Sequence, residues 1–175
     1  FIDCTSSAKV IEFYEDILES SISIVTPNKL ANSGPLAFYE KLKKQAAKHG
    51  VKFMYETNVG AGLPVINTLN DLKYSGDKII KIEGILSGTL SYIFNSFKEG
   101  VPFSQVVTEA RSKGLTEPDP RDDLNGMDVA RKILILGREA GQKLDIKDVK
   151  LEPILSEACF KAPNIDAFFE ELKKE

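Results

Sequence analysis

The chain has 175 residues, 42% hydrophobic and 28% charged, with 23 Lys and Arg against 26 Asp and Glu for a net charge of −3. That composition excludes disordered and collagen-like chains and argues against a surface built for nucleic acid or acidic lipid, so small molecules are the expected partners. The two cysteines, Cys4 and Cys159, are too few for a disulfide framework, and no apolar run approaches the ~20 residues of a membrane helix, which makes a reducing cytoplasm the expected compartment.

Phe1-Ile2-Asp3-Cys4 reads as an apolar strand, followed at once by Thr5-Ser6-Ser7, a group suited to capping a helix. Val10, Ile11, Tyr14, Ile17 and Leu18 then recur at spacings of three and four, predicting one helix over residues 8–20. Residues 22–25 are β-branched and predict a strand, completing a βαβ unit of a parallel sheet. Ser33-Gly34-Pro35 opens a helix with Leu36, Tyr39, Leu42 and Ala46 on one face, closed by His49-Gly50 before a strand at residues 51–55. The Gly-rich turn from Asn58 to Gly62 leads through Pro64 into a helix that reaches about Tyr74 and stops at Gly76. Residues 78–84 predict a strand, residues 90–97 and 102–113 two helices, and residues 126–140 a third, with Val129, Ile133, Leu136 and Ala140 along one side. The chain opens without Met and closes inside a helical pattern at residues 168–175, so a fragment is expected.

The densest polar stretch lies between Thr116 and Lys132, where Glu117, Asp119, Asp122, Asp123 and Asp128 are stiffened by Pro118 and Pro120. Most acidic loops cap helices and face water, but here the carboxylates outnumber the capping positions, so a preorganised ligand site stands level with that reading. Asp128 and Lys132 stand four apart on one helix face, a spacing that suits a proton-transfer pair. Asp123, Asn125 and Gly126 fit an EF-hand, but Arg121 and Lys132 then occupy two ligand positions, which argues against calcium. Gly60 and Gly62 form an incomplete dinucleotide fingerprint because Val65 replaces its last glycine, so a structural turn is the better reading. The opening βαβ unit likewise lacks a phosphate-binding turn. Lys29 follows the second strand at the carboxyl edge of the sheet, where ligands of open α/β sheets gather, although a solvated lysine is the commoner case. His49 is expected to interact with the carbonyls of its helix end, and both cysteines to be buried small apolar groups.

Taken together, Asp3-Cys4-Thr5-Ser6-Ser7, Thr26-Pro27-Asn28-Lys29, the run from Thr57 to Pro64, the run from Gly84 to Phe94 and the stretch from Thr116 to Lys132 resemble homoserine dehydrogenase. Their wording is most similar to the dehydrogenase half of the bifunctional aspartokinase/homoserine dehydrogenases. The resemblance implies an α/β fold in which residues 1–30 are the trailing βαβ part of a Rossmann nucleotide domain. Residues 31–175 are then an α+β substrate-binding, catalytic and dimerisation domain with a mixed sheet. It implies reduction of L-aspartate 4-semialdehyde to L-homoserine with a hydride from NADPH or NADH, on the path to threonine, methionine and isoleucine, by a homodimer that binds neither nucleic acid nor membrane. By position, the resemblance makes Lys29, Asp128 and Lys132 catalytic, and gives Glu117, Asp123, Gly88 and Thr89 to the substrate and Thr5, Ser6 and Lys29 to the nucleotide. Glu56, Val59, Ala61 and Leu63 match positions that hold a monovalent cation such as sodium, mostly by backbone carbonyls. Leu115 stands where some members carry Tyr. The alternative is a non-catalytic binding or dimerisation fragment.

Overall fold

The computed structural model describes Phe1–Glu175 as two compact units, the first of Phe1–Leu86 with Ala130–Lys150 and the second of Ser87–Val129 with Leu151–Glu175. The first unit holds the sheet. Strand β1 (Ile24–Val25) pairs in parallel with β2 (Phe53–Met54), Ile24 opposite Phe53, and Ile2 adds a single parallel bridge to Val25. The α/β class therefore holds, in a helix-rich chain with a small parallel sheet.

The expected helix over residues 8–20 is divided into α1 (Ala8–Ile11) and α2 (Tyr14–Glu19). At the break the Phe13 N–H reaches only three residues back to the Val10 carbonyl, and Tyr14 turns fully inward. Ser7 caps α1 as expected, its hydroxyl accepting the Lys9 N–H. After the short α3 (Leu30–Ser33), α4 (Leu36–Lys48) buries Tyr39, Leu42 and Ala46, the face its periodicity predicts. Tyr14, Leu18, Ile24, Ala31, Leu42 and Ala46 form one core, which welds α2 and α4 to β1. A second core gathers Tyr55, Val59, Ile66 and Leu69 with Ile135 and Leu136, from α5 (Val65–Tyr74) and α9 (Met127–Glu139). The deeply buried side of α9 is Leu134, Ile135 and Leu136, while Val129 and Ile133 of the expected stripe are only half-buried.

Residues 78–84, expected as a strand, carry no hydrogen-bonded ladder, and the mixed sheet has no counterpart within the chain. Ile79 and Ile82 pack on the second core while Ile80 is 92% exposed. The segment has the apolar pattern of a strand without a neighbour to pair with, and a strand exists only as half of a pair.

The second unit is helical: α6 (Gly88–Ser96), α7 (Phe103–Ser112), α8 (Arg121–Leu124), α10 (Glu157–Lys161) and α11 (Ile165–Leu172). Ile93, Val106, Val107, Ala110, Leu124, Cys159, Phe168 and Leu172 make its core. Gly114 ends α7 at φ +68°, a conformation that favours glycine after a helix. Cys159 is buried as expected, whereas Cys4 is exposed, because the strand position that faces inward is its neighbour Asp3. No helix is long and apolar enough to cross a membrane.

Candidate active site

Lys29 sits where the sequence expects a ligand-facing group, just past the carboxyl end of β1, and serves as the N-cap residue of α3. The turn that carries it is fixed from behind by buried polar side chains. Asp3, Thr26 and Asn28 are at most 3% exposed and Tyr14 is fully buried. Asp3 Oδ1 accepts the Thr5 N–H at 2.7 Å, and Asp3 Oδ2 accepts the Tyr14 hydroxyl at 2.5 Å and Asn28 Nδ2 at 3.2 Å. Burial pushes the Asp3 carboxyl up, but the Tyr14 hydroxyl and the Thr5 N–H outweigh it and hold the group below its ordinary value. Thr26 Oγ1 accepts the Asn28 N–H at 2.9 Å, and Asn28 Oδ1 accepts the Leu30 N–H at 3.1 Å. Thr5 and Ser6, the residues matched to the nucleotide, are exposed at the end of the opening segment.

Lys132, half-buried on α9, donates to the Leu86 carbonyl at 2.7 Å. Two turns further on, α9 is anchored by Glu139, 2% exposed, which accepts the hydroxyls of Tyr39 at 2.6 Å and Tyr55 at 2.5 Å with the Lys43 ammonium 3.4 Å away. Its neighbour Arg138 donates to the carbonyls of Asn32 at 2.7 Å and Gly34 at 2.8 Å and meets Asp145 at 3.2 Å. These bonds tie α9 to the segment that follows Lys29.

In the loop matched to the cation, Glu56 accepts the N–H groups of Ile66 at 2.8 Å and Asn67 at 2.9 Å, one on each carboxylate oxygen. It thereby caps α5, whose first N–H groups lack partners within the helix. Val59 is fully buried, Leu63 is 65% exposed, and Ala61 lies between them at φ +52°.

The acidic stretch lies in the second unit apart from the part of α9 that begins at Ala130. Asp119 forms a bidentate pair with Arg121, with contacts of 2.9, 3.0 and 2.5 Å, and the same guanidinium donates to the Ala162 carbonyl at 2.6 Å. Hydrogen bonding to Arg121 lowers the Asp119 carboxyl below its ordinary value against the effect of burial. Asp123 Oδ2 accepts the Glu117 N–H at 2.7 Å, joining two of the expected substrate residues and leaving the Glu117 side chain exposed. Thr89, near the start of α6, donates to the Leu115 carbonyl at 2.7 Å, while Gly88 is exposed beside it. Asp128 is half-buried in the first turn of α9, one helical turn before Lys132.

The structure thus joins Glu117 with Asp123 in one unit and orders Lys29, Lys132 and Glu56 in the other. Sequence reasoning missed the buried network of Asp3, Tyr14, Thr26 and Asn28, whose one available signal was an acid inside an otherwise apolar opening strand. It also missed Tyr39, Tyr55 and Glu139, whose polar ends meet across about a hundred residues of chain.

Residues 64–174 match the homoserine dehydrogenase family, and residues 1–56 match the family described as homoserine dehydrogenase, NAD binding domain. The chain is 50% identical over 171 residues to the chloroplastic bifunctional aspartokinase/homoserine dehydrogenase 2 of Arabidopsis thaliana, covering 98% of this chain and 19% of that protein. A crystal structure of a Candida auris protein of unknown function superposes with a TM-score of 0.93 at 43% identity over 99% of this chain and 50% of that one. A hyperthermophilic archaeal homoserine dehydrogenase in complex with NADPH superposes with a TM-score of 0.72 at 29% identity, over 85% of this chain and 48% of that one. The chain therefore spans about a fifth of the bifunctional relative and about half of each of these two structures. Two matches in this order, over an ordered Lys29 turn and an acid-built loop, establish that the chain belongs to the homoserine dehydrogenase family.

Proposed function

We propose that this chain carries the trailing part of the nucleotide domain, about residues 1–30, and from there the substrate-binding, catalytic and dimerisation part of an NAD(P)-dependent homoserine dehydrogenase. The observation that carries the reading is the match of a NAD-binding family and the homoserine dehydrogenase family to successive parts of one chain. The reaction is the reduction of L-aspartate 4-semialdehyde to L-homoserine, within threonine, methionine and isoleucine biosynthesis. The bound dinucleotide supplies the hydride. The chain's own residues must then receive the substrate, hold its ends and give the nascent alkoxide a proton.

Lys132 is the proton donor in this reading, with Asp128 four residues before it as its partner and Lys29 as the second cation near the carbonyl oxygen. A cationic lysine at that oxygen both stabilises developing charge and supplies the proton. Glu117 faces the substrate's ammonium group, Asp123 orders the loop that presents it, and Gly88 and Thr89 line the pocket. Thr5 and Ser6, exposed at the carboxyl edge of the sheet, suit the approach of a nicotinamide end. The pyrophosphate needs a glycine turn that residues 1–35 do not contain.

For the cation, a hard monovalent ion such as sodium takes oxygen ligands, which the carbonyls of Val59, Ala61 and Leu63 and the Glu56 carboxylate can provide. Each Glu56 oxygen has a lone pair beyond the one its N–H partner uses, so capping α5 and holding the ion are compatible. The ion would brace the turn that leads into α5. Homodimerisation through residues 78–84 completes the proposal, because an exposed apolar segment with no ladder of its own is a surface that pairs. The test is turnover: the whole protein should oxidise NADPH or NADH when given aspartate 4-semialdehyde. A protein that binds nucleotide but leaves the semialdehyde unreduced is a binding module.

A further inference from the structure

We infer that Asp3 is a positioning residue: one buried carboxylate sets the register between the turn bearing Thr5 and Ser6 and the turn bearing Lys29, and Asn28, bonded to it directly and through Tyr14 and Thr26, carries its effect to the lysine. The inference rests on the proposed function for what those two turns touch, and on geometry for how they are joined.

The hydrogens can be assigned one by one. An ionised carboxylate only accepts, so the single Tyr14 proton goes to Asp3 Oδ2, 2.5 Å away. Tyr14 Oη and Thr26 Oγ1 are 3.0 Å apart, and with the tyrosine proton committed, the threonine hydroxyl is the donor in that contact. Thr26 Oγ1 then has lone pairs for the Asn28 N–H. Asn28 uses its amide in full: Nδ2 donates to Asp3 Oδ2 and to the Ser7 carbonyl at 3.1 Å, and Oδ1 accepts the Leu30 N–H.

The peptide N–H groups on either side of Lys29, those of Asn28 and Leu30, are therefore both bonded to side chains of this network. Its carbonyl is held as well, accepting the Ser33 N–H and the Ser33 hydroxyl at 2.8 Å each. On the other branch, Asp3 Oδ1 fixes the Thr5 N–H, and Asn28 fixes the Ser7 carbonyl, so the turn proposed to approach the nicotinamide is pinned to the same groups. Placing a carboxylate here is expensive unless every partner is present, and the backbone of this segment already pairs with Val25 without the acid side chain, the Asp3 N–H donating to the Val25 carbonyl at 3.1 Å. A fully satisfied polar network of this kind selects one arrangement of its turns. Hydride and proton must reach the same carbonyl, and a misplacement of about 1 Å can cost on the order of 100-fold in rate.

The two branches give separate signatures in the whole protein. Thr26→Val removes the Thr26 link to the lysine turn and leaves the direct Asp3–Asn28 bond and the Thr5 branch in place: it should lower kcat per nucleotide-binding site about 10-fold or more and leave the NADPH Kd within about twofold. Thr26→Ser keeps the hydroxyl and should recover most of that loss. Asp3→Asn cuts both branches and should weaken NADPH at least about fivefold as well as lowering kcat. Counting sites by NADPH titration removes unfolded protein from the comparison. Hydrogen exchange at the Asn28 amide supplies a readout besides turnover, and should speed about 10-fold in Thr26→Val but not in Thr26→Ser, whereas the Leu30 amide, bonded to the Asn28 side chain, should speed in Asp3→Asn. The inference is overturned if kcat per site and the Asn28 amide stay within about twofold of wild type in Thr26→Val, or if Thr26→Ser loses as much as Thr26→Val, which marks a packing role. If wild type itself leaves aspartate 4-semialdehyde unreduced, the proposed function fails instead, and the exchange data still judge the network.

Discussion

Glu139→Ala removes the acceptor on which α4, α9 and the residue following β2 converge. Tyr39 and Tyr55, 7% and 4% exposed, both lose their acceptor, and since their hydroxyls lie within hydrogen-bonding reach of each other, one can turn to the other while one is left with nowhere to donate. An orphaned buried hydroxyl costs about 1–3 kcal/mol, and the lost methylene of the packed side chain adds about 1 kcal/mol, so the variant should lose about 2–4 kcal/mol. Lys43 adds little to that figure, because its side chain is 41% exposed and its attraction is screened. Glu139→Gln keeps a carbonyl acceptor in the same place and should cost about 1–2 kcal/mol, the charge-assisted part alone. Urea denaturation followed by circular dichroism measures both, and Tyr55→Phe added to Glu139→Ala should be nearly neutral, giving a coupling of about 1–3 kcal/mol. The sign of the pH dependence follows from the depressed carboxyl: burial raises it, but Lys43, Tyr39 and Tyr55 together pull it below its unfolded value. Its contribution is thus complete above an unfolded pKa of about 4.3 and is lost as pH falls through the folded value, so wild type should lose more stability in acid than Glu139→Gln. A cost below about 1 kcal/mol for Glu139→Ala, or no coupling to Tyr55, would refute the view that this cluster holds α9.

The other expectations bear on the site directly. Gly60→Ala should cost about 1–3 kcal/mol in the same denaturation assay, because φ is +85° and the new Cβ would stand 2.5 Å from Val65 Cγ2 at the start of α5. Lys132→Ala in the whole protein should lower kcat about 10²- to 10⁴-fold with NADPH affinity nearly unchanged; if it stays within about threefold while Lys29→Ala abolishes turnover, Lys29 is the donor. Glu117→Gln should raise the substrate KM about 10-fold or more with little change in stability, whereas Asp123→Asn, which weakens the bond to the Glu117 N–H, should lower kcat and stability together. On the proposed dimerisation, the whole protein should sediment as a dimer at micromolar concentration and Ile80→Lys should shift it toward monomer; a dimer unchanged by the substitution removes residues 78–84 from the interface.

What could be read in the sequence was what local periodicity and punctuation control. The face of α4 and its end at His49 and Gly50 follow from residues three and four apart, and the position of Lys29 follows from one β-branched run ending in Thr26-Pro27. The break between α1 and α2 was not legible, because the apolar spacing runs through it unbroken while the inward turn of Tyr14 answers to Asp3, eleven residues earlier. His49 shows the same limit: it closes α4 as expected, yet its Nε2 is buried without a hydrogen-bonding partner in the chain. For residues 78–84 the pattern of a strand was present, but a ladder depends on a neighbour that no local pattern encodes.

The acidic stretch shows why counting carboxylates overstates a site and why the excess is still informative. Asp119 is consumed locally by Arg121, whose guanidinium also lies over the Phe168 ring at 5.9 Å and reaches the Ala162 carbonyl, so that pair belongs to the packing of α8 against the end of the chain. Asp123 is consumed in turn by the Glu117 backbone. Two of the five acids thus hold the loop, and the loop they hold presents Glu117 to solvent at a fixed place just before two prolines. A flexible loop would have to be ordered by its ligand, at a cost of about 1–2 kcal/mol per residue of backbone. Here that ordering is done by Asp119, Asp123, Pro118 and Pro120 before any ligand arrives, which is the condition under which a single exposed carboxylate can select one ammonium position. The Lys29 turn meets the same requirement by the opposite means, with its supporting carboxylate, Asp3, buried behind it rather than displayed beside it.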